Sequence, residues 1–120
     1  MQNSFRVGKE KMNNNSTVSV VMSVYNAELY LEDAIESILS QTYKDFEFVI
    51  INDGSTDKSL EIIEKYKKQD QRIVLISREN KGLVVSLNEG IDLSKGEFIA
   101  RMDADDISFP ERFEKQIKFM

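Results

Sequence analysis

Neither cysteine nor histidine occurs anywhere in the 120 residues. Their absence excludes a thiolate nucleophile, a Ser-His relay, an imidazole base and a zinc finger within this chain. Chemistry has to run on carboxylates, hydroxyls, amides, Lys and Arg. Any metal would meet hard oxygen ligands, which suit Mg²⁺, Mn²⁺ or Ca²⁺ better than zinc or copper. A surplus of positive charge is missing too: 16 basic side chains stand against 21 acidic ones, for a net charge of −5. Without a broad attraction to phosphate backbones or anionic lipid, nucleic acid is not an expected partner. No apolar run approaches the roughly 18 residues of a membrane span, and the polar stretch from Met1 to Thr17 lacks the apolar centre of a secretory signal. The expected compartment is the cytoplasm, with no transmembrane segment.

What is present supports one folded domain, since 41% of the residues are hydrophobic and 9% aromatic. Residues 1–16, which include Asn13, Asn14, Asn15 and Ser16, have loop composition and no period, and are expected to form a disordered leader. The domain is expected over 17–120. Val18 to Tyr25 is β-branched and nearly continuous in apolar character, as in a strand buried on both faces of a parallel sheet. From Glu28 to Gln41, Leu31, Ala34, Ile35, Ile38 and Leu39 fall on one helical stripe with Glu32, Asp33 and Glu36 between them. Phe46 to Ile51 predicts a second strand, stopped by Asn52, Asp53, Gly54 and Ser55, and Leu60, Ile62, Ile63 and Tyr66 mark a second helix. Ile73 to Ile76 predicts a third strand. Val84, Leu87 and Ile91 predict a helix ending near Gly96, and Phe98 to Met102 a fourth strand. The single proline, Pro110, opens a last helix running to Met120. Strands alternating with helices through short loops define an α/β class, doubly wound, with a mainly parallel sheet and helices on both faces.

In such a sheet, ligands bind beyond the carboxyl ends of the strands. There the first strand delivers Tyr25 and Asn26, the second Asp53, the third Arg78 and Lys81, and the fourth Asp103, Asp105 and Asp106. Asn52 to Asp57 reads as a turn with Ser55 as helix cap, and Asp53 can still face the cleft while Ser55 caps. The acidic run Asp103-Ala104-Asp105-Asp106 needs a cation or an Arg to offset its repulsion, or else dresses a helix N-terminus. Arg101, two residues before Asp103, shares its strand face and either balances the acidic run or sits at a solvated rim.

Six ordered motifs carry a resemblance: Val18 to Asn26, Asn52 to Asp57, Asn80 to Gly82, Asn88 to Ile91, Gly96-Glu97, and Met102 to Asp106. From Val18 to its end the chain resembles family-2 glycosyltransferases of the GT-A fold. The resemblance implies a nucleoside-diphosphate sugar, usually a UDP-sugar, across the strand ends, with base and ribose near Ser23, Val24 and Tyr25. It also implies Asp53 at the base, Asp103 near ribose and metal, and Asp105 coordinating Mn²⁺ or Mg²⁺ at the diphosphate. Arg78 and Lys81 would assist at the base or diphosphate, or else form a solvated basic loop. By the same likeness the reaction inverts the sugar, and its carboxylate base lies beyond Met120, on an acceptor half that this chain is expected to lack. The acceptor is then a glycan or lipid-linked hydroxyl, in polysaccharide or cell-envelope synthesis, at the inner face of the membrane. Two positions depart from the pattern: Ser23 stands where many members have proline, and Leu87 where many have arginine.

Other readings stay open at the level of sequence. A non-catalytic nucleotide-binding remnant fits a chain without an acceptor half. A phosphoacceptor signalling domain would need a carboxylate pair after the first strand, where only Glu28 is near. A nucleotidyltransferase would need a Gly-rich basic first loop, which Ser23 to Asn26 does not provide.

Overall fold

A computed structural model of the chain describes residues 18–41 and 44–103. In chain order these form β1 (Val18–Val24), α1 (Leu31–Leu39), β2 (Phe46–Asp53), α2 (Ser59–Gln69), β3 (Ile73–Arg78), α3 (Leu83–Leu93) and β4 (Phe98–Asp103). The strands form one sheet in the order β3-β2-β1-β4, and every pairing is parallel. The expected leader, the closing helix from Pro110, and Asp105 and Asp106 lie outside the described residues.

β1 and β2 are buried along nearly their whole length because helices cover both sides of the sheet. On one side Val20, Met22, Phe48 and Ile50 pack with Leu31, Ile35 and Ile38 of α1 and Ile63 and Tyr66 of α2. On the other, Val21, Val49, Ile51 and Ile99 pack with Leu87 and Ile91 of α3. Burying a side chain such as Phe48 or Ile50 contributes about 1.5–3 kcal/mol. The close seat of α3 depends on Gly90, where a Cβ would come within 2.5 Å of Val21 Cγ1.

The element boundaries correct the sequence reading in several places. β1 ends at Val24, leaving Tyr25 in the loop. α1 starts at Leu31 and not Glu28, because the Ala27 and Glu28 N–H groups are drawn to Ser59 Oγ and Asp57 Oδ2 across the sheet end. β2 runs on through Asn52 and Asp53, whose side chains find partners on β3. Ser55 does not cap α2, which begins four residues later at Ser59; Asp57 Oδ1 instead accepts the Ser59 N–H at 2.9 Å. α3 stops at Leu93 and not near Gly96, and Val84 is 71% exposed, so it takes no part in the core.

From β1 the chain steps outward to β2 and β3, then returns to place β4 on the other flank of β1. The reversal between β1 and β4 is where an open parallel sheet leaves a crevice at its carboxyl edge.

Candidate functional site

Asp53 closes β2 directly opposite Arg78, the last residue of β3. Its carboxylate takes hydrogen bonds from Arg78 Nη1, from the Lys81 N–H at 2.7 Å and from the Gly82 N–H at 3.0 Å. Only 3% of the side chain is exposed. Burial by itself raises the Asp53 pKa, but the three donors outweigh it, the Lys81 N–H most, and hold the carboxyl below its ordinary 3.8. Asp53 is therefore ionised at neutral pH and acts only as an acceptor. A carboxylate offers about four lone-pair sites, and protein donors use three of them.

Arg78 sits at the centre of the same network. Besides Asp53 it donates to the Glu79 carbonyl at 2.9 Å, to Glu89 Oε1 at 2.8 Å and to Ser86 Oγ at 3.0 Å. Burial would lower its pKa, but the bonds to Asp53 and Glu89 more than compensate and raise it. The guanidinium is thus a fixed brace and not a solvated basic group. The Lys81 side chain is exposed, and it is the backbone N–H of Lys81 that reaches Asp53. The β3-to-α3 loop also lies close over the β2 tip. Asn80 Nδ2 donates to the Asp53 carbonyl at 3.0 Å, and a Cβ on Gly54, which has φ 75°, would come within 2.5 Å of the Asn80 nitrogen.

A second network joins the loops after β1 and β2. Asn26 adopts φ 49°, and its Oδ1 accepts the Thr56 N–H at 2.8 Å while its own N–H donates to Ser55 Oγ at 3.0 Å. The Ala27 N–H donates to Ser59 Oγ at 3.0 Å, and the Glu28 N–H to Asp57 Oδ2 at 3.2 Å. Burial raises the Asp57 pKa, but hydrogen bonds from Ser59 and from the Glu28 backbone hold it below the ordinary value. This latch fixes the loop on which Tyr25 stands 54% exposed at the cleft. Sequence reasoning missed the latch and also missed Ser86 and Glu89. The signal available was the density of short polar side chains between Ser55 and Ser59, the kind that bond backbone N–H groups at turns.

Ser23 and Val24 form the end of β1, and Ser23 pairs with Asp103, the last residue of β4. The structure thus places the ends of β1 and β4 side by side at the crevice. Arg101 is half-buried on β4 opposite Val21. Among the described residues no group of three or more carboxylates gathers as a metal site, and Asp105 is outside them. Asn52 Oδ1, next to Ser77 at the β2 tip, is a buried acceptor without a partner among the described residues, though its Nδ2 donates to Ser77 Oγ at 3.0 Å.

A doubly wound parallel sheet with an acceptor carboxylate, an exposed aromatic ring and paired strand ends at its switch point defines a class of nucleotide-binding α/β proteins. The model of glycosyl transferase family 2 matches residues 19–120, and the chain belongs to that family. An uncharacterized glycosyltransferase of Haemophilus influenzae is 46% identical over 110 residues, 91% of this chain and 34% of that protein. The putative glycosyltransferase EpsE of Bacillus subtilis is 47% identical over 111 residues, 91% of this chain and 40% of that protein. Among solved structures, S. aureus TarS 1-349 in complex with UDP-GlcNAc superposes with a TM-score of 0.80 at 29% identity, covering 86% of this chain and 30% of that one. The fold is the GT-A fold of these glycosyltransferases, and the chain spans between a third and two fifths of the length of these two curated relatives.

Proposed function

We propose that the chain is the donor-binding part of an enzyme that moves a sugar from a nucleoside-diphosphate sugar, a UDP-sugar in the first instance, to an acceptor hydroxyl. The observation that carries this reading is the Asp53 carboxylate, ionised, braced by Arg78 and left with one lone-pair site at the tip of β2. An acceptor-only group suits the imide N–H of uracil, whereas the same ring position of cytosine is a bare acceptor nitrogen and repels a carboxylate placed opposite it, leaving only the exocyclic amino group to donate. Tyr25 offers an aromatic face, and Ser23 and Val24 offer strand-end backbone for the nucleoside.

Asp103 and Asp105 would hold Mn²⁺ or Mg²⁺. Their hard carboxylate oxygens fit such a cation, and the pairing of Asp103 with Ser23 sets the β4 end beside the β1 end. Bound there, the cation supplies Lewis-acid stabilisation of the charge that builds on the departing diphosphate. This chain's own work is to hold the nucleoside, orient the diphosphate and keep Asp53 ionised. The inverting displacement and its base belong to residues beyond Met120, with a glycan or lipid-linked hydroxyl as acceptor. Polysaccharide or cell-envelope synthesis at the cytoplasmic face of the membrane is the proposed setting. No helix among the described residues is long and apolar enough to cross a membrane.

The test is titration of UDP into the purified chain by calorimetry, with and without Mn²⁺, beside an Asp105→Ala variant and a CDP control. Mn²⁺-dependent binding of UDP that is lost in Asp105→Ala, with CDP much weaker, supports the reading. A folded chain that binds no nucleoside diphosphate with any divalent ion refutes it.

A further inference from the structure

A single hydrogen bond through Nη1 cannot orient a guanidinium, because the group is free to swing about that contact. Arg78 reaches Asp53 through Nη1 alone. The same Nη1 also donates to the Glu79 carbonyl at 2.9 Å, and the contacts to the other two nitrogens come from α3, where Glu89 Oε1 accepts from Nε at 2.8 Å and Ser86 Oγ accepts from Nη2 at 3.0 Å. Ser86 and Glu89 lie three residues apart and so share one helical face. The Arg78 side chain is only 14% exposed, so water does little to replace a lost partner. Two carboxylates thus share one guanidinium. One ends β2 at the proposed nucleobase site, and the other belongs to a helix whose opposite flank packs on Val21, Val49 and Ile51.

We propose that Glu89 is a positioning residue for nucleotide recognition: it fixes the plane of the Arg78 guanidinium and through it the placement of the Asp53 carboxylate. The inference rests on the reading of Asp53 as the nucleobase contact. Glu89 touches no ligand in this scheme. It makes recognition at β2 depend on α3, the same helix that carries Leu87 in place of the arginine common in the family. Losing Glu89 leaves the bonds to Asp53, Glu79 and Ser86 in place but frees Nε and removes one of the two carboxylates, so the effect falls on the tilt of the guanidinium, and so on binding geometry, more than on folding.

The experiment compares Glu89→Ala, Arg78→Lys and the double variant in the full 120-residue chain, reading UDP affinity by calorimetry, melting temperature, and the Arg78 Nε–H signal by ¹⁵N NMR. Glu89→Ala is expected to weaken UDP binding about tenfold, the size seen for coupled neighbours in one ion-pair network, and to lose the protected Nε–H signal. Glu89→Gln, which keeps the acceptor oxygen, recovers most of the affinity. Arg78→Lys keeps the charge but not the planar fork; it weakens binding similarly, and adding Glu89→Ala to it changes little further. If Glu89→Ala does not fold, Arg78→Lys decides: wild-type affinity there overturns the proposal. So does Glu89→Ala with unchanged affinity, or additive losses in the double variant. A wild-type chain that binds no nucleoside diphosphate sinks the reading of the site itself, and this inference with it. Binding by the wild type that survives Glu89→Ala sinks only the inference.

Discussion

The two ends of the sheet are both sewn shut by polar side chains, yet they are built differently. At the amino end, Glu47 on β2 accepts from Ser19 Oγ and from the Lys95 N–H, and Ser19 Oγ accepts the Gly96 N–H at 2.7 Å. The bonds from Lys95 and Gly96 tie the α3-to-β4 connection to the strand starts, the bond between Ser19 and Glu47 joins β1 to β2, and Ser19 is fully buried. At the carboxyl end the bonds run between neighbouring loops and leave the Tyr25 ring and the Lys81 side chain at the surface, with the buried Asp53 carboxylate beneath the β3-to-α3 loop. The amino end spends its polarity on holding the chain together. The carboxyl end holds a shape open to a ligand, and the same hydrogen-bonding chemistry serves both.

If that contrast is right, mutations at the two ends should separate binding from stability. The largest effect belongs to Asp53→Ala, which strips Arg78 of one carboxylate and leaves the Lys81 and Gly82 N–H groups bare. It should cost about 3 kcal/mol in urea unfolding, the low end for breaking a buried pair because Glu89 still faces the guanidinium, and should abolish UDP binding. Glu47→Ala should cost about 1–3 kcal/mol for the two donors it leaves unpaired, with UDP affinity unchanged. A loss of affinity in that variant would break the comparison. Asp57→Ala should cost about 1 kcal/mol, as loss of a capping acceptor does, and loosen the Tyr25 loop so that UDP affinity falls severalfold.

Acid should sharpen the same contrast. Asp53 and Asp57 both have depressed pKa values in the folded chain, so the stability they lend is fully present above the unfolded value near 3.9 and is lost as pH falls through the lower folded values. Denaturant midpoints measured below about pH 4 should drop less steeply in Asp57→Ala than in the wild type. At the small end, Glu32→Ala removes an ion pair to Lys65 in which both side chains are more than half exposed. It should shift stability by less than about 0.5 kcal/mol and leave binding untouched.

The order of elements and the α/β class were legible in the sequence, because strands covered on both faces read as nearly continuous apolar runs, as Val18 to Val24 and Phe46 to Ile51 do. The ends of the elements were less so. Asn52 and Asp53 are turn formers by local preference, and only cross-strand partners on β3, Ser77 and Arg78, make strand residues of them. Val84 shares a helical stripe with Leu87 and Ile91, yet it lies in the first turn of α3 and is 71% exposed while the other two pack on the sheet. Asp53, Arg78, Tyr25 and Asp103 were placed at strand ends by where they fall in a parallel sheet, whereas Ser23 came from the family resemblance. The roles of Asn26 and Asp57 were not legible, since the bonds that define the latch join residues some thirty positions apart, nor were those of Ser86 and Glu89, which reach Arg78 from another element. No local pattern encodes a partner at that distance.

The strand order has a consequence in time. β1 is the first strand made, and it sits inside the sheet, but its second neighbour is β4, whose Phe98 pairs with Val18 across most of the described chain. While a ribosome is still producing α3, one flank of β1 presents unpaired backbone, the kind of edge that recruits other chains. Docking of β4 pairs that flank of β1, leaves β4 as the edge among the described residues and, in the same movement, brings Asp103 beside Ser23. Among the described residues the crevice is therefore the last part of the sheet to come into being, and a nascent chain acquires its proposed donor site only when the inner flank of β1 is closed.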